Sequence, residues 1–260
     1  MLDYLRKVWK VRHFWITLVR NDLRNRYRRS IIGVGWSLLH PIAMTAVLSA
    51  VFARLLGAEL ATYAPYLLAG LVTWNFLVAV MNQGCQCFFV AESYIRQHPV
   101  PLAIYPLRTA LGAGIHLLIG LAVVVAFTWC LRGFGNLPAL LALLPAVLLL
   151  LVVGCSLAVC MGVVNVLFQD CQHLTEIALQ ILFYATPIIY PAELLRQRGL
   201  TPLAALNPLA ALLDLVREPI VGGRLPSLGA VALGTALAAL AAASAVAVLW
   251  RFERRLIFYL

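Results

Sequence analysis

Lysine is almost missing from this chain of 260 residues: Lys7 and Lys10 are the two it has. Neither follows a glycine-rich loop, so the chain lacks the backbone cradle and lysine with which a P-loop holds nucleotide phosphates. It also lacks a Gly-x-Ser-x-Gly elbow, a His-Glu-x-x-His helix and aspartate pairs at phosphotransferase-like spacing. Acidic residues are scarce, ten against twenty basic ones. The middles of the long apolar stretches carry almost no carboxylates, which argues against proton or ion coupling. The six cysteines, Cys85, Cys87, Cys130, Cys155, Cys160 and Cys171, form no C-x-x-C and stand apart from the histidines. They read as small buried hydrophobes, with neither a disulfide nor a metal site expected. A cleavable signal peptide is not expected either, because the first thirty residues are charged throughout. The first apolar stretch is expected to act as the insertion signal.

What the chain has in excess is apolar length. It is 63% hydrophobic and 12% charged, too apolar for a soluble core to hide. A bilayer core of about 30 Å needs roughly 20 apolar residues per helix. Six stretches reach that length: 36–57, 65–91, 104–131, 138–165, 173–192 and 227–250. Helices are the expected form, since each must satisfy its own backbone in lipid. The predicted fold is an all-α integral membrane protein with six transmembrane helices. An amphipathic interface segment covers 1–30, spans one to five cover 36–192, and an external segment with re-entrant half-helices covers 193–226. Span six and a short tail, 251–260, follow. The whole chain is one transmembrane domain.

Arginine and lysine in short flanking segments set orientation. The N-terminal segment is dense in them, Arg96 lies between spans two and three, and Arg251, Arg254 and Arg255 close the chain. An even number of spans puts these on one side, expected to be the cytoplasm, with both termini there. The net charge of +10 then follows from topology. No soluble basic domain is left for nucleic acid.

Four local patterns stand out. Leu5, Val8, Trp9, Trp15, Ile16, Val19, Leu23 and Tyr27 recur near helical spacing between basic residues, as in a helix lying in the membrane interface. Glu92 to Pro101 is a short polar link closed by two prolines, which stiffen it. Thr186-Pro-Ile-Ile-Tyr-Pro191 breaks the fifth span near its outer end, and the pieces after it are too short to span. Irregular backbone of that kind is tolerated only where protein or water surrounds it, which suits a gate or pore mouth. Finally, Tyr66, Trp74, Phe76, Phe183, Tyr184 and Tyr190 gather on the outer halves of spans. They form either an interfacial belt or faces on which sugar rings can slide. Asp170 and Glu176 at the inner boundary and His116 inside a span read as structural.

Taken in order, these motifs resemble the membrane subunits of ABC-type polysaccharide exporters, which move O-antigen, capsular polysaccharide or teichoic acid. Arg26-Tyr-Arg-Arg-Ser-Ile-Ile-Gly-Val-Gly-Trp-Ser-Leu-Leu-His-Pro41 is similar to the family's approach to its first span. Phe168, Asp170 and His173, then Phe183 and Thr186 to Pro191, resemble its fourth-to-fifth span region. Leu206-Asn-Pro-Leu209 and Arg217 resemble its external re-entrant segment.

The resemblance implies a homodimeric permease, two copies with two ABC ATPase subunits, and an export channel on the two-fold axis. It implies a coupling interface at Arg6, Lys7, Lys10, Glu92, Tyr94, Arg96 and His98. It implies an external gate at Pro187, Pro191, Asn207, Pro208 and Arg217, and a cytoplasmic approach at Arg28, Arg29, Trp36, His40, Asp170 and His173. The six outer aromatics would touch the glycan. No cofactor is expected on this chain, ATP and magnesium belonging to the partner. The expected function is export of a lipid-linked surface polysaccharide across the inner (cytoplasmic) membrane. A permease for a drug or small lipid and a membrane-embedded glycan- or lipid-modifying enzyme are the alternatives.

Overall fold

The structure is a computed structural model that describes residues 2–30, 33–97, 100–133, 136–197 and 207–259. Among these the regular elements are all helical. The N-terminal segment forms α1 (Leu2–Lys10) and α2 (Arg12–Tyr27). Then come α3 (Trp36–Leu55), α4 (Leu60–Gln86), the short α5 (Glu92–Gln97) and α6 (Ile104–Arg132). They are followed by the one-turn α7 (Leu137–Leu140), α8 (Leu143–Leu167), α9 (Cys171–Ala185) and α10 (Ala192–Gln197). The chain closes with α11 (Pro208–Arg217) and α12 (Leu228–Tyr259).

Five stretches, α3, α4, α6, α7 with α8, and α12, are long and apolar enough to cross a bilayer. The span expected at 173–192 is shorter than predicted. Its helix, α9, has 15 residues and rises about 22 Å. It stops because Thr186 precedes a proline and takes extended angles, φ −94° and ψ 139°, as steric clash with the proline ring requires. In the external segment 193–226, α11 has ten residues and a rise of about 15 Å, a half-span length. Residues 198–206 of that segment and His98 lie outside the described residues.

The bundle is built around α4. In α4, 72% of the apolar window is buried, against 22% in α3 and 17% in α12. Helix α4 packs on α3, α6, α8, α9 and α11, while α12 packs on α8 and α11. Small residues permit the closest approaches. A Cβ at Gly84 would lie 2.7 Å from the Cα of Ala158, and one at Gly154 would lie 2.6 Å from the Phe76 ring. Two buried threonine hydroxyls in the spans return to their own helix: Thr73 and Thr128 donate to the carbonyls of Ala69 and Val124. Asn165 is buried and joins three helices. Its amide donates to the Cys85 carbonyl at 2.8 Å, and its Oδ1 accepts the Gln172 N–H at 3.1 Å.

A second apolar cluster closes one end of the bundle. Leu18 of α2, Phe88, Ile95 of α5, Leu102, Val163 of α8 and Leu256 of α12 meet there. The start and the end of the described chain therefore lie at the same end, together with the α4–α6 connection.

Candidate functional site

At the end opposite the termini, the broken segment after α9 is held by a buried arginine. Arg217 closes α11 and is 4% exposed. Its Nη1 donates to the Pro187 carbonyl at 2.7 Å and to the Tyr66 hydroxyl at 2.9 Å, and its Nη2 donates to the Ile188 carbonyl at 3.0 Å. The guanidinium also lies 3.7 Å from the centre of the Tyr66 ring, an attractive cation–π contact. The Tyr63 hydroxyl donates to the Ile189 carbonyl at 2.6 Å. The Tyr66 hydroxyl lies 3.3 Å from the Tyr190 carbonyl. Asn207 caps α11 by accepting the Leu209 N–H, and its amide donates to the Ala185 carbonyl and the Thr186 hydroxyl. Each carbonyl freed by the break, from Ala185 to Tyr190, apart from that of Thr186, thus has a side-chain donor within reach. That is the condition for irregular backbone inside a membrane protein. Gly70 makes the room, since a Cβ there would fall 2.2 Å from the Arg217 Nη2.

Around this clasp the outer aromatics have different surroundings. Trp74 and Phe76 are buried in the core of the bundle, so neither offers a face on the protein surface. Phe183 packs on Trp74 with ring centres 5.8 Å apart. Tyr190 is half-buried and donates to the Tyr184 carbonyl at 2.6 Å. Tyr184 is 70% exposed and ends a stripe of exposed apolar residues on α9, Leu174, Ile177 and Ile181. Pro187 is buried, Pro191 is partly buried, and Pro208 is exposed at the start of α11.

At the other end, α1 is fastened by a small polar latch. The Tyr4 hydroxyl donates to the Glu253 carboxylate at 2.6 Å, and the same oxygen accepts the Leu102 N–H at 3.2 Å. The Ala103 N–H donates to the Tyr4 hydroxyl at 3.3 Å. Burial, reinforced by the bond to Glu253, pushes the Tyr4 hydroxyl well above the usual tyrosine range, so it stays a donor at any physiological pH. Glu253→Ala is expected to speed trypsin cleavage at Lys7 and Lys10 about 100-fold, the worth of two bonds to a carboxylate at about 1.5 kcal/mol each. An unchanged rate would mean that other contacts hold α1.

The expected coupling residues form the outer surface of this end. Arg6, Lys7, Lys10, Tyr94 and Arg96 are exposed, and Arg96 pairs with Glu92 at 2.9 Å. Phe14 of α2 meets Tyr94 of α5 edge-on, ring centres 6.1 Å apart, so the two predicted interface pieces touch. Of the residues expected at the cytoplasmic approach, all six are exposed. Trp36 and His40 share the lining of one cavity. Arg28 and Arg29 end α2, where Arg29 takes φ +65°, and Asp170 and His173 flank the start of α9.

Sequence reasoning missed Gly70, Asn165, the Tyr4–Glu253 latch and the Asp22–Arg108 pair. The last had a signal. Arg108 stands inside an apolar stretch, and such a charge calls for a partner. Asp22 of α2 supplies it, accepting from Nε and Nη2 of Arg108 in a bidentate pair.

An apolar helical bundle with five helices long enough to cross a bilayer defines a multi-pass membrane protein. The chain belongs to the ABC-2 type transporter family, which residues 13–221 match; it is a transport subunit. It is similar to the O-antigen export system permease protein RfbA of Myxococcus xanthus, 25% identical over 253 residues, 96% of this chain and 94% of that one. The RfbA protein of the same description from Klebsiella pneumoniae is 23% identical over 211 residues, 80% of each chain. The polysialic acid transport protein KpsM of Escherichia coli is 22% identical, covering 79% of this chain and 80% of its own.

Proposed function

We propose that this chain is the permease subunit of an ATP-driven exporter that moves a lipid-linked surface polysaccharide across the cytoplasmic membrane. The observation that carries the reading is the likeness, over about four fifths of the chain or more, to permeases named for O-antigen and polysialic acid export. Two copies pair around a channel, and each docks a separate ATPase, because this chain has no phosphate-binding loop of its own. The basic end, with α1, α2 and α5, faces the cytoplasm, where the excess of arginine belongs. The contact between Phe14 and Tyr94 supports joint movement of α2 and α5 when the ATPase closes. At the opposite end the clasp on Pro187 and Ile188 is the part of the gate that α11 holds. Tyr184 is the aromatic best exposed for weak, repeated contact with a sliding glycan, since tight binding would stall a long polymer.

The test is ATPase activity of this chain in nanodiscs, alone and with the ATPase encoded nearest to it. Activity in a stable two-plus-two complex only, altered by lipid-linked glycan, is the expected result. A stable chain that binds no ATPase would overturn the proposal and favour a membrane-embedded enzyme.

A further inference from the structure

Two adjoining cavities inside the bundle differ in chemistry. The first, about 450 Å³, lies among α2, α4, α6 and the start of α9. Its lining is polar for a membrane protein: Asp22, Arg26, Asn82, Gln83, Tyr105 and Arg108 contribute to it. Two of its polar atoms are buried with no hydrogen-bond partner, the Tyr105 hydroxyl and the Asn82 Oδ1. Tyr105 is 1% exposed. A buried hydroxyl or amide left unpaired is costly, so such groups are kept for a ligand or water that completes them. The second cavity, about 240 Å³, runs from the first toward α3. Arg26 and His116 line both. Beyond them the second is mostly apolar, with Leu38, Val72, Phe76, Ala79 and Leu117 along it, and His40 and Asn75 among its polar side chains.

The charge of the polar cavity favours an anion. Arg108 is already matched by Asp22, which leaves the positive charge of Arg26 at the mouth in excess. The orphaned Asn82 Oδ1 needs a donor, such as a hydroxyl, and the Tyr105 hydroxyl can donate to a phosphate oxygen. A polar chamber with a spare cation that opens into a mostly apolar slot fits an amphiphile.

We propose that this pair of cavities is a lipid site. It takes a phosphorylated, hydroxyl-bearing lipid headgroup between α2, α4 and α6 and lays the chain in the slot beside α3. Arg26 and Tyr105 hold the phosphate, and Asn82 accepts from a headgroup hydroxyl. Two lipids carry that chemistry, a bilayer phosphatidylglycerol and the phosphate-linked anchor of a glycan. The inference rests on the cavities and not on the cargo, so its test needs neither ATPase nor glycan.

The test is native mass spectrometry of the purified protein with phosphatidylglycerol and with phosphatidylcholine, which has the phosphate but neither net negative charge nor a hydroxyl. Phosphatidylglycerol is expected to be retained preferentially. Tyr105→Phe should weaken retention about 5-fold and Arg26→Gln about 10-fold, the worth of a neutral and of a charged hydrogen bond. Tyr105→Phe removes only an unpartnered hydroxyl, so the melting temperature should not fall. Displacement of phosphatidylglycerol by polyprenyl phosphate would assign the site to a glycan anchor, and lack of displacement would assign it to a bilayer lipid. Equal retention of the two phospholipids, or full retention in both variants, would overturn the site.

Discussion

Arg217→Leu is expected to cost about 3 kcal/mol or more of stability and to leave little folded protein in the membrane. The leucine occupies similar volume but donates nothing. The carbonyl of Ile188 then loses its side-chain donor, that of Pro187 keeps only the weaker contact with Tyr66, and the Tyr66 hydroxyl loses its donor. Each unpaired buried group costs about 1–3 kcal/mol. Arg217→Lys should be intermediate, because one ammonium cannot reach both carbonyls in the same fork. Thermal unfolding in detergent, followed by size-exclusion chromatography, measures the effect. Gly70→Ala is expected to mimic part of it by pushing the guanidinium aside. A melting temperature for Arg217→Leu equal to that of the unaltered chain would mean that the break after α9 is held by something other than this clasp.

The second large effect is expected at Gly84. A methyl there meets the backbone of Ala158, with Cα at 2.7 Å and the carbonyl oxygen at 3.2 Å, and backbone cannot swing away as a side-chain end does. Helices α4 and α8 must separate, and α4 is the most deeply buried of the spanning helices. Gly84→Ala should cost about 2 kcal/mol and Gly84→Leu about 3 kcal/mol, within the range for overpacked cores. Gly112 is the comparison. No atom lies within 4 Å of a Cβ placed there, so Gly112→Ala should be neutral or raise stability by up to about 1 kcal/mol through helix propensity. Equal melting temperatures for the Gly84 and Gly112 variants would show that the α4–α8 seam has slack.

The two sites explain why apolar length was legible in the sequence and packing was not. Lipid demands roughly 20 apolar residues per crossing, so the positions of α3, α4, α6, α8 and α12 follow from composition to about five residues, except that α12 runs on to Tyr259 through the tail expected at 251–260. The stop at Ala185 was legible too, because Thr186-Pro187 excludes helix on steric grounds. The basic, Trp-bearing first thirty residues are expected to form an interface segment for the same kind of reason: the solvent on each side dictates the residue type.

What the sequence did not carry is the direction in which a span faces. A helix apolar on all sides has no amphipathic stripe to read, so Trp74 and Phe76 were grouped with Tyr184. The structure puts the first two in the core of the bundle and Tyr184 on its surface. The place of α4 at the centre was hidden in the same way, since its sequence is no more apolar than those of its neighbours. Long-range polar pairings were hidden for another reason. Tyr4 meets Glu253, Asp22 meets Arg108 and Arg217 meets Pro187 across 249, 86 and 30 positions of chain, and no local pattern links such residues. By itself the sequence determined that this chain lives in a bilayer, where its helices run and where the fifth one breaks, because these depend on the solvent and on local sterics. The tertiary structure alone decided which helix stands at the centre, which arginine holds the break and where polar atoms are left waiting inside, because those depend on which surfaces meet.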